Sequence, residues 1–418
     1  MIGHADGPGG ADRAGLRILR SVQSVGVDAQ LLVQQTPGIT PDVLPLAAHG
    51  ARRRGILETV SRRVGGDLLW LQKSGNSVHR SFNIVPSHLA RAVDSFPHDV
   101  IHLHWMGSET ASIKEIGSLK GPVVWTLHDS WPFCGAEHHP ADSHDRRFTL
   151  DYSRRSRSAS DSRFDLDAWT YRRKRRWFTQ PRWLVGPSRW MIEQASVASL
   201  TRSWPVSVIP NPIDTSIFRP RPRAEARRQW RIAPDRIVLL FGAVGGTFVA
   251  NKGWDSLDAA IGHLPADIRN RVDVWVFGAE APQRTVAGCP VQATGFVANP
   301  HELAALYSAA DVHVVASRQE SFSQTAAESI ATGTPVAAFG VGGLLDVVTP
   351  GVTGSLATPY DEQHLARAII ECLELRDKAA IEGPVHARRA WEPSVVGGAY
   401  KRVYEEAIQW WNDGPSQR

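Results

Sequence analysis

Val312-His313-Val314-Val315-Ala316-Ser317-Arg318-Gln319-Glu320-Ser321-Phe322-Ser323-Gln324-Thr325-Ala326-Ala327-Glu328-Ser329-Ile330-Ala331-Thr332-Gly333-Thr334-Pro335 is the stretch on which the fold of this chain turns. Val312–Ala316 is an apolar run of strand type. A helical pattern leaves the stretch through Ala326, Ile330 and Ala331 and stops at Gly333-Thr334-Pro335. Pro335–Phe339 then opens a second apolar run. Strand, helix, strand is the repeating unit of a parallel sheet. Glu320 falls where the first strand ends, and Glu328 falls about two turns into the helix.

A helix N-terminus therefore lies between two carboxylates. Its free N–H groups and positive dipole end receive phosphate. Carboxylates accept hydrogen bonds only, so the pair suits a ligand with hydroxyls on both sides of a phosphate. A nucleotide sugar is such a ligand. Two acids eight positions apart also arise by chance on a surface segment, but the surroundings argue for a site. Asn251-Lys252-Gly253 follows a Gly-rich turn, and Phe339-Gly340-Val341-Gly342-Gly343-Leu344-Leu345-Asp346 follows another apolar run.

The same alternation fills the C-terminal half. Ile237–Gly242 is a strand running into a glycine-rich turn, and Trp254–His263 is a helix. Val272–Gly278 and Val291–Val297 are strands, and Pro300–Ala310 is a helix with apolar Leu303, Leu306 and Tyr307. Near-continuous Val and Ile runs mark strands buried on both faces of a doubly wound sheet. The N-terminal half is less regular, with strands at Ala29–Val33, Val100–His104, Val123–His128 and Trp183–Gly186. Only Met1–His4 precede its first glycine turn, Gly7-Pro8-Gly9-Gly10, so strand one is very short or begins upstream. A polar, Arg-rich insertion separates His128 from Trp183, and its Ser153–Ser162 part reads as a mobile loop.

A chain of 418 residues suits two cores. The expected division is 1–205 and 206–390, joined by the proline-rich Val208–Pro222, with 391–418 as a helix crossing back to the first domain. Tyr400, Val403, Tyr404, Ile408 and Trp411 give that helix its apolar face. No long apolar run indicates a membrane span, and the N-terminus lacks signal-peptide character. Cys134, Cys289 and Cys372 are far apart and form neither a metal spacing nor a disulfide framework. A cytoplasmic location follows as the expectation. Residues 1–205 hold 27 Lys+Arg against 19 Asp+Glu, a balance of +8, whereas residues 206–418 hold 20 against 23, or −3. A basic first half is a solvated surface or a face for an anionic partner.

Taken together the motifs resemble family 4 of the retaining glycosyltransferases of GT-B fold, over nearly the whole chain. Glu320 and Glu328 fit that family's paired-glutamate motif, and Asn251-Lys252-Gly253 fits its lysine-glycine turn. Val208–Phe218 is similar to its interdomain segment, and Gly186-Pro187-Ser188-Arg189-Trp190 to its small-residue turn. Trp125–His139 resembles the subgroup that builds capsular and colanic-acid-type exopolysaccharides. The resemblance implies two Rossmann-like domains facing a cleft. It implies that Lys252 neutralises the donor diphosphate, that Glu320 holds a hydroxyl of the transferred sugar, and that Glu328 holds the ribose. It gives the backbone N–H groups of Ser321, Phe322 and Ser323 contacts to phosphate or sugar. It places His128 against the donor sugar, Gly9 and Gly10 near the reacting centre, Gly242 at the nucleotide-side turn, and Phe296 and Val297 by the base. The arginine that the family commonly carries shortly before the lysine is missing from Gly245–Asn251, and Arg318 is one substitute.

Other features have plainer readings beside them. His128 ends an apolar strand, where α/β folds place ligands, or it is a satisfied strand-end histidine. His102, His104, His138 and His139 lack a metal-ligand spacing. Asp165-Leu166-Asp167 follows no apolar strand and reads as the cap of a helix over Ala168–Phe178. No metal or other cofactor is then expected. Tyr171–Phe178 mixes bases with aromatics, which fits an anionic membrane surface, a nucleic acid, or a helix that packs its rings and solvates its arginines. The expected function is sugar transfer from a nucleotide-sugar donor to a glycan acceptor, lipid-linked, at the inner face of the membrane, without nucleic acid. The alternatives are a nucleotide-sugar-modifying Rossmann enzyme, which wants a G-x-G-x-x-G turn absent here, and a nucleic-acid-binding protein using the basic half.

Overall fold

The computed structural model describes all residues except 8, 37–39, 47–70, 74–77, 88, 141–144, 159–160, 243–249, 280–283 and 415–418. The chain forms two compact units, Met1–Ile209 with Gly397–Arg418, and Pro210–Val396. These bounds differ by a few residues from 205/206 and 390/391 for physical reasons. Val206–Val208 is the edge strand of the first sheet. Trp391 is 2% exposed in the second core, where its ring meets Phe322 edge-on at 6.1 Å.

The first unit carries β1 (Ile2–Ala5), β2 (Leu31–Gln35), β3 (Val43–Pro45), β4 (Gln72–Lys73), β5 (Ile101–Leu103), β6 (Val123–Thr126), β7 (Ser162–Arg163), β8 (Trp183–Gly186) and β9 (Val206–Val208). Seven of them form one sheet in the order β3-β2-β1-β5-β6-β8-β9, parallel throughout. Short β1 lies inside this sheet, paired on both sides. The helix Gly10–Ser24 follows it and buries Ala14, Ile18, Leu19 and Val22 at helical spacing. The helix Pro393–Asn412 also belongs here from Gly397 onward. Tyr404 Oη is 2.8 Å from His102 Nδ1, and Tyr400 Oη is 2.9 Å from Thr126 Oγ1. A side chain on Gly397 would strike the Ser21 carbonyl, so glycine permits that approach.

The described residues of the insertion between His128 and Trp183 include a packed aromatic set. Trp131, Phe133, Tyr152 and Tyr171 are each 2% exposed or less and join the first core. β7 pairs antiparallel with β4, so Ser162, placed in a mobile loop by composition, is in a strand. Helix Leu166–Trp177 starts at Asp165, whose carboxylate accepts from Ala168 N–H at 3.0 Å. This helix does not simply solvate its cations. Lys174 is fully buried and donates to the carbonyls of Trp131, Cys134 and Gly135. Arg173 donates to those of Phe82 and Asn83 at 2.6 and 2.8 Å.

The second unit carries β10 (Ile237–Gly242), β11 (Val272–Phe277), β12 (Thr285–Val286), β13 (Cys289–Gly295), β14 (Val312–Val315), β15 (Val336–Phe339) and β16 (Gly354–Ala357). Their order is β12-β13-β11-β10-β14-β15-β16, parallel except for β12. Separate apolar clusters cover the two faces of this sheet, which is why its strands read as continuous apolar runs. The helix Glu362–Trp391 runs through Gly383 and Pro384. At Gly383 a Cβ would collide with the Ile330 carbonyl at 2.5 Å, so close packing on the helix Gln324–Ala331 selects glycine there. Among the described residues no helix is long and apolar enough to cross a membrane.

Candidate active site

The carboxyl ends of β10, β14 and β15 are neighbours in the second sheet, and the loops that leave them meet. Such strand-end loops are where open α/β sheets bind ligands. Backbone approach holds them together. Arg318 N–H donates to the Asn251 carbonyl at 2.8 Å, and Asn251 Nδ2 returns a bond to the Gln319 carbonyl at 3.0 Å. Gly343 N–H donates to the Glu320 carbonyl at 2.8 Å. Gly253 sits at φ +71° against the Ala316 carbonyl, where a Cβ has no room.

This frame sets Lys252 Nζ 2.8 Å from Glu320 Oε1, which also accepts from Ser317 Oγ at 2.8 Å. The ammonium assigned to a diphosphate is thus held by the carboxylate assigned to a sugar hydroxyl. The pair is partly exposed, with side chains at 29% and 15%. A doubly charged phosphate group would compete with one carboxylate for that cation.

Ser323 heads the helix Gln324–Ala331 with φ +74°, a conformation that costs a non-glycine residue energy. Its hydroxyl is buried without a hydrogen-bond partner. Strained backbone beside an orphaned hydroxyl at a helix N-terminus marks a place shaped for a ligand. Because the helix starts at Gln324, Glu328 lies one turn into it, not two. Glu328 is 1% exposed and accepts from Tyr307 Oη at 3.1 Å. Phe322 and Val297 are 2% and 8% exposed in the second core, so only their backbones are offered to a ligand. Phe296, by contrast, is 49% exposed at the end of β13. Gly242 ends β10 and faces the Phe277 ring, which a Cβ would touch at 2.7 Å. Residues 243–249 lie outside the described residues, and with them most of the stretch lacking the arginine. Arg318, the substitute, pairs with Asp255 at 2.6 Å.

Beneath the site, His313 on β14 is buried with both ring nitrogens unpartnered. Burial and the charge of Lys252 draw it down to about 3, so it stays neutral. Sequence reasoning missed Ser317, Tyr307 and His313, and at Ser323 it read a backbone contact but neither the strained backbone nor the orphaned hydroxyl. Ser317 carries no motif signal, and Tyr307 and His313 act across the fold.

In the first unit, His128 follows β6 and is half-buried. Its Nε2 is 3.0 Å from His104 Nδ1, which leaves Nδ1 as the edge for a ligand. Burial draws His128 down to about 4 and His104 well below its ordinary range, so both are neutral at physiological pH. Asp129 fixes the next turn, accepting from Trp131 N–H at 2.9 Å and lying 2.5 Å from His138 Nδ1. Gly9 precedes the helix Gly10–Ser24, and a Cβ on Gly10 would meet nothing within 4 Å. Asp165 and Asp167 are committed elsewhere, pairing with Arg147 at 2.6 Å and Arg80 at 3.1 Å. Among the described residues no group of three or more His, Cys, Asp or Glu is placed to hold a metal ion.

The family described as "Glycosyltransferase Family 4" matches residues 8–217, and "Glycosyl transferases group 1" matches residues 238–375. A D-inositol 3-phosphate glycosyltransferase of Geodermatophilus obscurus is 37% identical over 217 residues, 48% of each chain. A 2-deoxystreptamine glucosyltransferase of Streptomyces kanamyceticus is 31% identical over 44% of this chain and 49% of its own. The chain spans about half the length of the curated relatives it matches. Among solved structures, a sucrose-phosphate synthase of Thermosynechococcus elongatus aligns with a TM-score of 0.64 over 98% of this chain and 96% of its own, at 19% identity. A protein of Anabaena solved with UDP-glucose aligns at 0.60 over 97% and 99%, at 16% identity. These likenesses show the fold, two parallel-sheet Rossmann-like domains of GT-B type.

Proposed function

The chain belongs to glycosyltransferase family 4, and on that footing we propose that it moves a sugar from a nucleotide-sugar donor to a glycan acceptor, lipid-linked, with retention of anomeric configuration. The observation that carries this reading is the meeting of Lys252, Glu320 and the strained Ser323 helix start on two adjacent strand-end loops, those after β10 and β14. The ammonium and the helix N-terminus are the cationic groups a nucleoside diphosphate needs as it leaves. Glu328, one turn further on, is the acceptor for ribose hydroxyls. His128 is the neutral imidazole offered to the donor sugar. The Anabaena relative solved with UDP-glucose supports a donor of this kind.

Placement in exopolysaccharide or cell-surface glycan synthesis rests on the Trp125–His139 stretch and the lipid-linked acceptor. The names of the relatives favour a second acceptor class, a small phosphorylated or amino polyol. Incubating the protein with UDP-, GDP-, ADP- and dTDP-sugars, and with lipid-linked glycan or inositol 3-phosphate, tests both. Donor-dependent product on one acceptor supports transfer. Turnover of no donor, or modification of the donor alone, contradicts it.

Glu328→Gln is expected to weaken donor binding about tenfold or more, because a charge-assisted hydrogen bond contributes roughly 1.5–3 kcal/mol. Calorimetry with unchanged donor affinity would remove Glu328 from the site. Transfer is also expected to survive EDTA, since Lys252 and the helix start supply the positive charge. Full loss in EDTA with recovery on adding manganese or magnesium would overturn that.

A further inference from the structure

A cavity of about 660 Å³ lies in the first unit against helix Leu166–Trp177. Its lining includes Tyr152, Arg154, Arg157, Phe164, Trp169 and Arg172. None of these belongs to the candidate active site. Phe164 is 71% exposed and Trp169 is 38% exposed. That exposure is not looseness of the chain. Phe164 N–H donates to the Leu71 carbonyl at 3.2 Å, and the preceding Ser162–Arg163 is paired in the β4–β7 sheet. Arg157 fixes the same turn through the carbonyls of Arg163, Ser162 and Phe164 at 2.9, 2.9 and 3.2 Å.

The cavity's charge is one-sided. Its carboxylate, Asp165, is neutralised by Arg147 at 2.6 Å and caps Ala168 N–H. Arg154 and Arg172 are exposed, and their guanidinium groups make no hydrogen bond or ion pair with the described residues. Two uncommitted guanidinium groups call for an oxyanion with several acceptors, which phosphate supplies. The aromatic and aliphatic remainder of the wall calls for an apolar body attached to that anion.

We propose that this cavity holds the phosphate headgroup and first tail carbons of an anionic lipid, docking the first unit on a membrane surface. Arg154 and Arg172 contact the phosphate, and Phe164 and Trp169 lie among the upper tail carbons. The purpose of such docking rests on the lipid-linked acceptor proposed above, but the binding itself needs neither donor nor acceptor.

The test is co-sedimentation of the full chain with vesicles of phosphatidylcholine alone and with added phosphatidylglycerol. Wild type is expected to bind the anionic vesicles only. Arg154→Glu/Arg172→Glu is expected to weaken that binding about 30-fold or more, from the usual contribution of a basic residue at an anionic surface. Phe164→Ser is expected to weaken it as well, with its residual attachment more sensitive to salt. The control Arg388→Glu/Arg389→Glu makes the same change in net charge within the second unit and is expected to leave binding intact. If wild type binds and the two double variants behave alike, the cavity assignment falls while membrane association stands. No binding by wild type overturns both, without touching transfer to a soluble acceptor. Displacement by inorganic phosphate or by a single-stranded oligonucleotide carrying no more phosphate than the vesicles, at constant ionic strength, overturns the lipid in favour of a simple anion or a nucleic acid.

Discussion

Lys252→Ala is expected to lower turnover about 100-fold or more, the usual effect of removing one preorganised electrostatic group. Charge grows on the nucleoside diphosphate as the glycosidic bond breaks. A cation there binds the transition state better than the ground state, and only that difference raises the rate. The surrounding frame gives Lys252 little freedom. Gly253 is locked against Ala316, and the ammonium is held 2.8 Å from Glu320. Arg318, the other cation close in sequence to the paired glutamates, is engaged with Asp255. Removing Lys252 also leaves Glu320 uncompensated where the diphosphate arrives, so donor affinity should fall together with rate. Glu320→Gln added to Lys252→Ala should restore part of the affinity but not the rate. Steady-state kinetics beside Lys401→Ala decide the matter. Similar, near wild-type rates for both single variants would show that Lys252 only completes a turn.

Asp311→Ala is expected to destabilise the second unit by about 3–5 kcal/mol, the usual result of breaking a buried ionic cluster from one side. Asp311 is 2% exposed and precedes β14, at the end of that strand away from the site. Its carboxylate accepts from Val238 N–H at 2.8 Å, Arg227 at 2.6 Å and Arg376 at 3.2 Å, and also pairs with Arg223. Alanine would leave the buried Arg227 charge uncompensated and a backbone donor of β10 unpaired. The melting transition should drop by on the order of 10 °C. Asp311→Asn should fall less, because its amide oxygen still accepts from Val238. A shift of less than about 2 °C for the alanine variant would show that the cluster contributes little.

The second sheet was legible because its strands are buried on both faces and so read as Val and Ile runs, separated by helices with ordinary caps. Asn299 accepts from His301 N–H at 2.9 Å and Asp361 from His364 N–H at 2.8 Å, as cap residues at those positions predict. Helix ends set by tertiary packing were not legible. Gly383-Pro384 reads as a stop, yet the helix continues because Gly383 admits the Ile330 backbone. Ser323 in the left-handed region shortens the next helix, although serine does not signal that conformation.

Within the candidate site, Lys252, Glu320 and Glu328 were readable as types at suggestive spacings. Their partners were not. Tyr307 reaches Glu328 across 21 positions, and Lys252 reaches Glu320 across 68. The aromatic packing of the insertion was also hidden. Trp131, Phe133, Tyr152 and Tyr171 follow no single period, so composition showed the segment only as polar and Arg-rich.

Calorimetric titration of the full chain with UDP, GDP, ADP and dTDP tests the strand-end site most directly. At least one nucleoside diphosphate should bind with a stoichiometry near one. Its affinity should fall in both Lys252→Ala and Glu328→Gln and stay at the wild-type value in Lys401→Ala. Absence of binding to all four, or equal affinity across the wild type and all three variants, would contradict the assignment of these loops to a nucleotide-sugar donor.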